Sequence, residues 1–420
     1  MHERRASGRW WTAAATAATA LVALASSAGA GGVTTGDVAH DAGLQWGLDR
    51  IGAVEAWDTA RGDGIVIAVV DSGVALDHED LAANLVPGTA CHDTAGDADL
   101  CTGSPQDDDG HGTHVAGIAA AVDGNRVGIA GVAPAAQIMP IKVLHRACPD
   151  CDSAGSAPDV AAAVRWATDH GADIINLSLG STTNSVFGPG FVDAVRYAWD
   201  GGAIPVVAAG NQFVLTADFG DAPAVVVSAI ARDDTVPSYA NGVGRARWAV
   251  AAPGGEGGDT AESCAQDGDP VGILSTYWSS GDTGAYACLS GTSMAAPHVS
   301  GLLALLLSAG LDPASAIETM LATTHDLGDP GVDATFGTGL IDAAAALAVA
   351  PSVNPASATT LPTADDDPTV IEPGQPGETS APQPFVIDDG DDVPGLLVVV
   401  AVAAILATGS AGLALRRRLL

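Results

Sequence analysis

Across residues 44–349, short apolar runs alternate with longer Ala-rich stretches in which apolar residues recur at helical spacing. Residues 65–70, 137–143, 173–179, 204–209 and 225–230 form continuous, largely β-branched runs, the pattern of strands buried on both faces. Residues 115–121, 157–169, 191–199 and 294–308 carry the three-to-four spacing of helices. This alternation predicts an α/β fold of three layers around a mainly parallel central sheet. The pattern stops near residue 350. Residues 350–394 are rich in Pro, Thr and Asp and poor in apolar residues, so they read as an extended stalk that repels itself.

The two ends read differently. Arg4, Arg5 and Arg9 precede an apolar stretch over 10–25 and a small-residue Ala28-Gly29-Ala30 site, which makes residues 1–30 an export signal; an N-terminal membrane anchor is the alternative. Residues 31–43 are a short extension. Near the other end, residues 396–415 are 20 positions without a charge, enough at ~1.5 Å each to cross a ~30 Å bilayer core. A transmembrane helix is therefore expected over 395–415. Arg416-Arg417-Arg418 in the tail 416–420 would stay cytoplasmic, leaving the bulk of the chain outside the cell.

Composition narrows the partners. The net charge is −34, from 50 acidic against 16 basic residues, a field that repels nucleic acid and anionic headgroups. The six cysteines all fall in the exported part, where disulfides are the default. Sequence leaves their connectivity open, and loop closure favours Cys91–Cys101, Cys148–Cys151 and Cys264–Cys288. A redox pair or half a zinc site at Cys148-Pro149-Asp150-Cys151 is the alternative, with no second such motif to support it.

Three segments carry chemistry, in the order Asp, His, Ser. Ile67-Ala68-Val69-Val70-Asp71-Ser72-Gly73-Val74 ends a buried strand in a carboxylate. Asp109-Gly110-His111-Gly112-Thr113-His114-Val115-Ala116-Gly117 puts a histidine where a helix starts. Ser290-Gly291-Thr292-Ser293-Met294-Ala295-Ala296-Pro297-His298 opens another helix with a serine. A serine hydroxyl needs a base during attack, histidine is the usual base, and a carboxylate holds the imidazole in its useful tautomer. A fourth segment, Val206-Val207-Ala208-Ala209-Gly210-Asn211, ends a buried strand in an amide able to donate to an oxyanion beside the Ser293 N–H.

These segments resemble the subtilase family of serine peptidases over roughly residues 44–349. The resemblance implies peptide-bond hydrolysis through an acyl-enzyme, with protein or peptide as substrate and no cofactor in the chemistry. It implies that Asp71, His111 and Ser293 form the triad and that Asn211 completes the oxyanion hole. Ser178, Leu179 and Gly180 would pair with the substrate backbone. Ala208, Ala209 and Gly210 would wall the pocket for the side chain before the cut. The loop over 212–222, with Asp218 and Asp221, would reach the base of that pocket, Asp221 being the better candidate, while Asp108 and Asp109 would line the neighbouring one. A carboxylate there favours Lys or Arg; carboxylates turned to solvent leave an apolar preference.

Other residues have plainer readings. His114 and His298 read as satisfied structural histidines. Structural calcium, which family members often hold, has Asp93, Asp97 and Asp99 or the Asp123-Gly124-Asn125 turn as candidates, against a solvated acidic loop. Only about a dozen residues separate Ala30 from Leu44, too few to fold as the pro-domain that many subtilases carry. Signal, peptidase, stalk and C-terminal helix together are similar in layout to the mycosins, the membrane-anchored subtilases of type VII secretion systems, although Ser178-Leu179-Gly180 is closer to the broader family. An esterase with the same triad would want its serine in Gly-x-Ser-x-Gly, which is absent around Ser293. A catalytically silent subtilase serving as a surface binding or secretion-assembly module is the remaining alternative; Asp71, His111, Ser293 and Asn211 are all present.

Overall fold

The computed structural model describes residues 35–146, 153–179, 189–211, 219–256, 271–280 and 282–350. The export signal, the stalk and the C-terminal apolar run lie outside those residues, and among the described residues no single helix is long and apolar enough to cross a membrane.

In chain order the strands are β1 (Val66–Asp71), β2 (Thr89–Ala90), β3 (Gln137–Lys142), β4 (His145–Arg146), β5 (Ser153–Ala154), β6 (Ile174–Leu177), β7 (Ile204–Ala208), β8 (Val225–Ile230), β9 (Trp248–Pro253), β10 (Ile273–Thr276) and β11 (Tyr286–Leu289). Seven of them form one sheet in the order β2-β3-β1-β6-β7-β8-β9, parallel throughout. The apolar runs are continuous because both faces of this sheet are covered. One buried cluster joins Ile67, Val69, Ile174 and Val206 to Leu302 and Leu305 on one side, and another joins Val70, Ile141, Ile175 and Val207 to Val160, Val164 and Val195 on the other. The fold is the three-layer α/β arrangement that the sequence predicts.

The helices are α1 (Val38–Asp41), α2 (Trp46–Arg50), α3 (Ala53–Ala56), α4 (His111–Ala120), α5 (Ala157–Asp169), α6 (Pro189–Asp200), α7 (Thr292–Ser308), α8 (Pro313–Ala322) and α9 (Ala343–Val349). The apolar spacing starts α4 at residue 115, but the helix begins at His111, where the catalytic motif puts it. Polar Gly-His-Gly-Thr hides the helical period there, and the local bonds described below hold the turn instead. The two-residue β2, the Ala-rich β9 and the antiparallel pair β10–β11 also escape the apolar pattern.

From β1 the chain passes to β3 on one side, then crosses to β6 on the other, so the carboxyl end of β1 lies at a switch point in strand order. Open parallel sheets bind ligands in the crevice at such a point. Asp71 closes β1, Ser178 follows β6 directly, and Asn211 lies just past β7, all at carboxyl ends of adjacent strands.

Candidate active site

Asp71 is fully buried, and its Oδ1 accepts the Nδ1–H of His111 at 2.7 Å and the N–H of Ser72 at 2.7 Å. Since a carboxylate only accepts, His111 carries its proton on Nδ1 and leaves the lone pair on Nε2, which is buried and has no partner among the described residues. Burial of the ring opposes its charged form, but the neighbouring Asp71 carboxylate outweighs this and raises the His111 pKa above 6.5.

A second buried carboxylate fixes the approach. Asp107 accepts from the Ser72 hydroxyl at 2.9 Å, the Asp109 and Gly110 N–H groups at 2.9 and 3.1 Å, and the N–H and hydroxyl of Thr113. The Ser72 hydroxyl in turn accepts the Gly112 N–H at 2.9 Å, which stitches the end of β1 to the first turn of α4. The two backbones meet so closely that a methyl at Gly112 would lie 2.1 Å from the Gly73 carbonyl oxygen. Burial raises the Asp107 pKa despite these five donors.

His114 has the structural role that the sequence suggests. Its Nε2 bonds to the carbonyls of Ile273 and Ala287 at 3.0 and 3.1 Å, tying α4 to the β10–β11 pair. The Ser275 and Thr276 hydroxyls donate back to the His114 and Thr113 carbonyls, both at 2.7 Å. Burial pushes the His114 pKa down to about 3 and that of His298 down to about 4, so both rings stay neutral at ordinary pH. His298 bonds through Nδ1 to the Met294 carbonyl at 2.8 Å.

Ser293 is the second residue of α7, so its N–H has no acceptor within the helix. Its hydroxyl donates to the Ser178 carbonyl at 3.3 Å, and the Ser178 hydroxyl donates to the Ser293 carbonyl at 2.8 Å. Asn211 is oriented by the residue before Ser293: its Oδ1 accepts the Thr292 N–H and hydroxyl, each at 2.9 Å. A backbone N–H can only donate, so the oxygen must face Thr292, and the Nδ2 amide is left for other acceptors. The Thr292 hydroxyl also accepts the Gly210 N–H at 3.1 Å, which holds the end of β7 against the start of α7.

Of the substrate-binding candidates, Ser178, Leu179, Ala208 and Ala209 are buried, and Gly210 turns with a positive φ of 94°. Gly180 and Asp218 lie outside the described residues, and Asp221 is exposed. Asp108 and Asp109 are each paired with a cation. Lys142 Nζ reaches Asp108 at 2.7 Å, and Arg146 Nε reaches Asp109 at 2.9 Å, with the Ser153 hydroxyl on the same Asp109 oxygen at 2.6 Å. Burial works against the Asp109 charge, yet Ser153, His111 and Arg146 hold its pKa below the usual value. A motif reading missed both partners because they lie on β3 and β4, more than thirty residues along the chain.

Cys91 and Cys101 are joined, as expected from their spacing. Cys288 is also disulfide-bonded, and Cys148, Cys151 and Cys264 lie outside the described residues.

The acidic loop shows no convergence of carboxylates: Asp93, Asp97 and Asp99 are exposed, and Asp97 accepts the Asp99 N–H at 3.0 Å. Two buried carboxylates, Asp37 and Asp80, bond to the Asp123-Gly124-Asn125 turn instead. Asp37 accepts the Gly124 N–H at 2.9 Å through Oδ2, and its buried Oδ1 has no partner among the described residues. Asp80 accepts from Asn125 Nδ2 at 2.6 Å and the Ile129 N–H at 2.8 Å. Burial raises the pKa of both, that of Asp80 to about 6, with the Asp37 charge adding to the rise at Asp80 and the Asp123 charge adding to that at Asp37. Among the described residues no group of three or more His, Cys, Asp or Glu could hold a metal ion, so these two acids offer a hard cation only part of an oxygen shell. The signal that could have found them is Asp80 itself, a carboxylate inside the His-Glu-Asp-Leu turn that the strand pattern skips.

The pattern that describes the subtilase family matches residues 62–339. The chain belongs to the subtilase family. Thermitase of Thermoactinomyces vulgaris is 38% identical over 285 residues, covering 67% of this chain and 88% of thermitase. The thermophilic serine proteinase of Bacillus sp. (strain AK1) is 35% identical over 300 residues, 70% of this chain and 65% of that protein. A solved protease from Pseudoalteromonas arctica superposes with a TM-score of 0.60 at 31% identity, covering 76% of this chain and all of that one. This subtilase is a serine-type endopeptidase, and protein or peptide is its substrate class.

Proposed function

We propose that Ser293 is the nucleophile, His111 its general base and acid, and Asp71 the group that orients and stabilises the imidazole. The observation that carries this reading is the 2.7 Å Asp71–His111 bond, which fixes the tautomer and leaves a buried lone pair on Nε2. Nε2 takes the hydroxyl proton as Ser293 Oγ attacks the scissile carbonyl. The tetrahedral oxyanion is met by the Asn211 Nδ2 amide and the Ser293 N–H, where the orphaned donors of α7 also favour negative charge. His111 then gives its proton to the leaving amine, and water repeats the sequence on the acyl-enzyme. No cofactor enters these steps.

The substrate backbone lies along Ser178, Leu179 and Gly180. The side chain before the cut enters a pocket walled by Ala208, Ala209 and Gly210, with Asp221 near its base. With Asp108 and Asp109 each held by a cation, the pocket for the preceding residue has little net charge to offer a basic side chain. Asp37 and Asp80 are the residues that would hold a structural calcium ion, with Asn125 beside them. The signal over 1–30 exports the peptidase, and the apolar run over 395–415 tethers it to the membrane with the catalytic domain outside.

The test is covalent labelling. A fluorophosphonate probe labels the full-length protein at one site, and Ser293→Ala abolishes it; labelling that survives this change moves the nucleophile elsewhere.

A further inference from the structure

Asn176 is a polar residue in the middle of an apolar strand. It sits on β6 in register with Val69 and Val206, fully buried in the centre of the sheet. A buried amide costs free energy unless its donors and acceptor are matched. Here the oxygen and one N–H are matched by a directed chain. The Ser300 hydroxyl donates to Asn176 Oδ1 at 2.8 Å, and Asn176 Nδ2 donates to the Ser178 hydroxyl at 2.9 Å. That hydroxyl donates in turn to the Ser293 carbonyl. Ser300, Asn176 and Ser178 have no exposed surface.

The last acceptor explains the chain. In a helix the carbonyl of residue 293 would accept the N–H of residue 297, and residue 297 is proline, which has none. Pro297 therefore leaves the Ser293 carbonyl without its helical donor, and the Ser178 hydroxyl supplies one. A carbonyl can only accept, so the direction of every link is set: Ser178 must donate outward, Asn176 must present its N–H to Ser178, and its oxygen must face Ser300. Ser300 lies seven residues beyond Ser293 on the same helix. The relay thus leaves α7, crosses β6 at Asn176 to Ser178 just beyond it, and returns to the first turn of α7.

We infer that Asn176, supported by Ser300, is a positioning residue: it holds the Ser178 hydroxyl on the Ser293 carbonyl and so fixes the nucleophile's backbone where Pro297 has removed the helical bond. The inference rests on the reading of Ser293 as nucleophile. It adds that the serine's placement depends on a strand residue that never touches substrate. Removing the amide releases the Ser178 hydroxyl to rotate, and the Ser293 carbonyl loses a donor, while the Thr292 contacts to Asn211 and Gly210 remain. Displacement of a reacting group by about 1 Å costs on the order of a hundredfold in rate.

The full-length protein and its Asn176→Ala, Ser300→Ala and Ser300→Thr variants are compared well below their unfolding temperatures. The measurements are kcat and KM on a peptide, the second-order rate of fluorophosphonate labelling, and the pH profile. Asn176→Ala lowers kcat and the labelling rate together by about tenfold to a hundredfold, with KM within about threefold. Ser300→Ala, which deletes one hydroxyl and spares the fold, gives a smaller loss in the same two quantities, and Ser300→Thr restores them. The acid limb of the pH profile stays in place, because the Asp71–His111 bond is untouched. If Asn176→Ala does not fold, Ser300→Ala decides. Alanine variants that keep kcat and labelling within about twofold of the parent, or that change KM alone, overturn the inference. A parent protein that takes no label at all would instead refute the nucleophile assignment.

Discussion

Asp80 makes a prediction whose sign reverses with cation supply. Burial lifts its pKa from 3.8 to about 6, and the charge of a second buried carboxylate, Asp37, adds to the rise. At about 1.4 kcal/mol per unit, ionising Asp80 in the cation-free fold costs on the order of 3 kcal/mol relative to the unfolded chain. The native state binds the proton more tightly, so stability from this group is greatest below pH 3.8 and falls as pH rises to about 6. Above that it is level. A bound divalent cation removes the penalty because it favours the ionised form, and at a hundred times its Kd it adds about 2.7 kcal/mol. For a domain of this size each kcal/mol moves Tm by roughly 2–4 °C. Thermal unfolding of a Ser293→Ala protein, which cannot digest itself, gives a clean assay. At pH 8, chelation lowers Tm by about 5–10 °C, whereas at pH 4 it does little. Asp80→Asn has the lower Tm of the two proteins in calcium, and the equal or higher Tm in chelator, where it is spared the buried charge. A Tm indifferent to chelation at pH 8, or an Asp80→Asn loss of equal size in both buffers, refutes the reasoning.

Four further outcomes are expected. Asn211→Leu lowers kcat by about 10²–10³ with little change in KM, by steady-state kinetics. Because the cationic imidazole accepts no proton, kcat/KM falls as pH drops through the raised His111 pKa, and Asp71→Asn moves that limb to lower pH while reducing the rate; an unmoved limb assigns the titration to another group. Paired chromogenic peptides ending in Leu or Arg compare the two pocket preferences. Leu is cut faster if the exposed Asp221 stays in solvent, and Asp221→Asn then alters neither rate. Truncation before Pro394 moves activity from the membrane fraction to the medium; activity left in the membrane would put the anchor elsewhere.

The strands that carry Asp71, Ser178 and Asn211 were legible because each is a continuous apolar run ending in a polar residue. Ser293 and His111 were legible because glycine and small residues flank them in an order that chemistry demands. Interactions across long sequence separations were not. Nothing in Asp-Asp-Asp-Gly-His announces that Lys142 and Arg146 hold two of those carboxylates, and Asp37 and Asp80 are linked only through the turn at 123–125, where one accepts from Gly124 and the other from Asn125. Trp248–Pro253 was missed because alanine carries little strand signal, although the neighbouring β8 gives it a full parallel register. Asn176 was visible as a polar break in Ile-Ile-Asn-Leu, but its meaning depended on Pro297, more than a hundred residues away.

The two histidines of α4 respond to acid in opposite ways, and the difference sets how this enzyme tolerates it. His111 takes up a proton readily, whereas His114, three residues on, stays neutral down to about pH 3. Its bonds to Ile273 and Ala287 keep α4 clasped to the hairpin that leads directly into Gly291 and Ser293. Mild acid therefore idles the chemistry while the clasp between its two halves stays shut. A preparation held near pH 5 should keep itself from self-digestion and resume cutting as soon as it is neutralised, with no refolding lag.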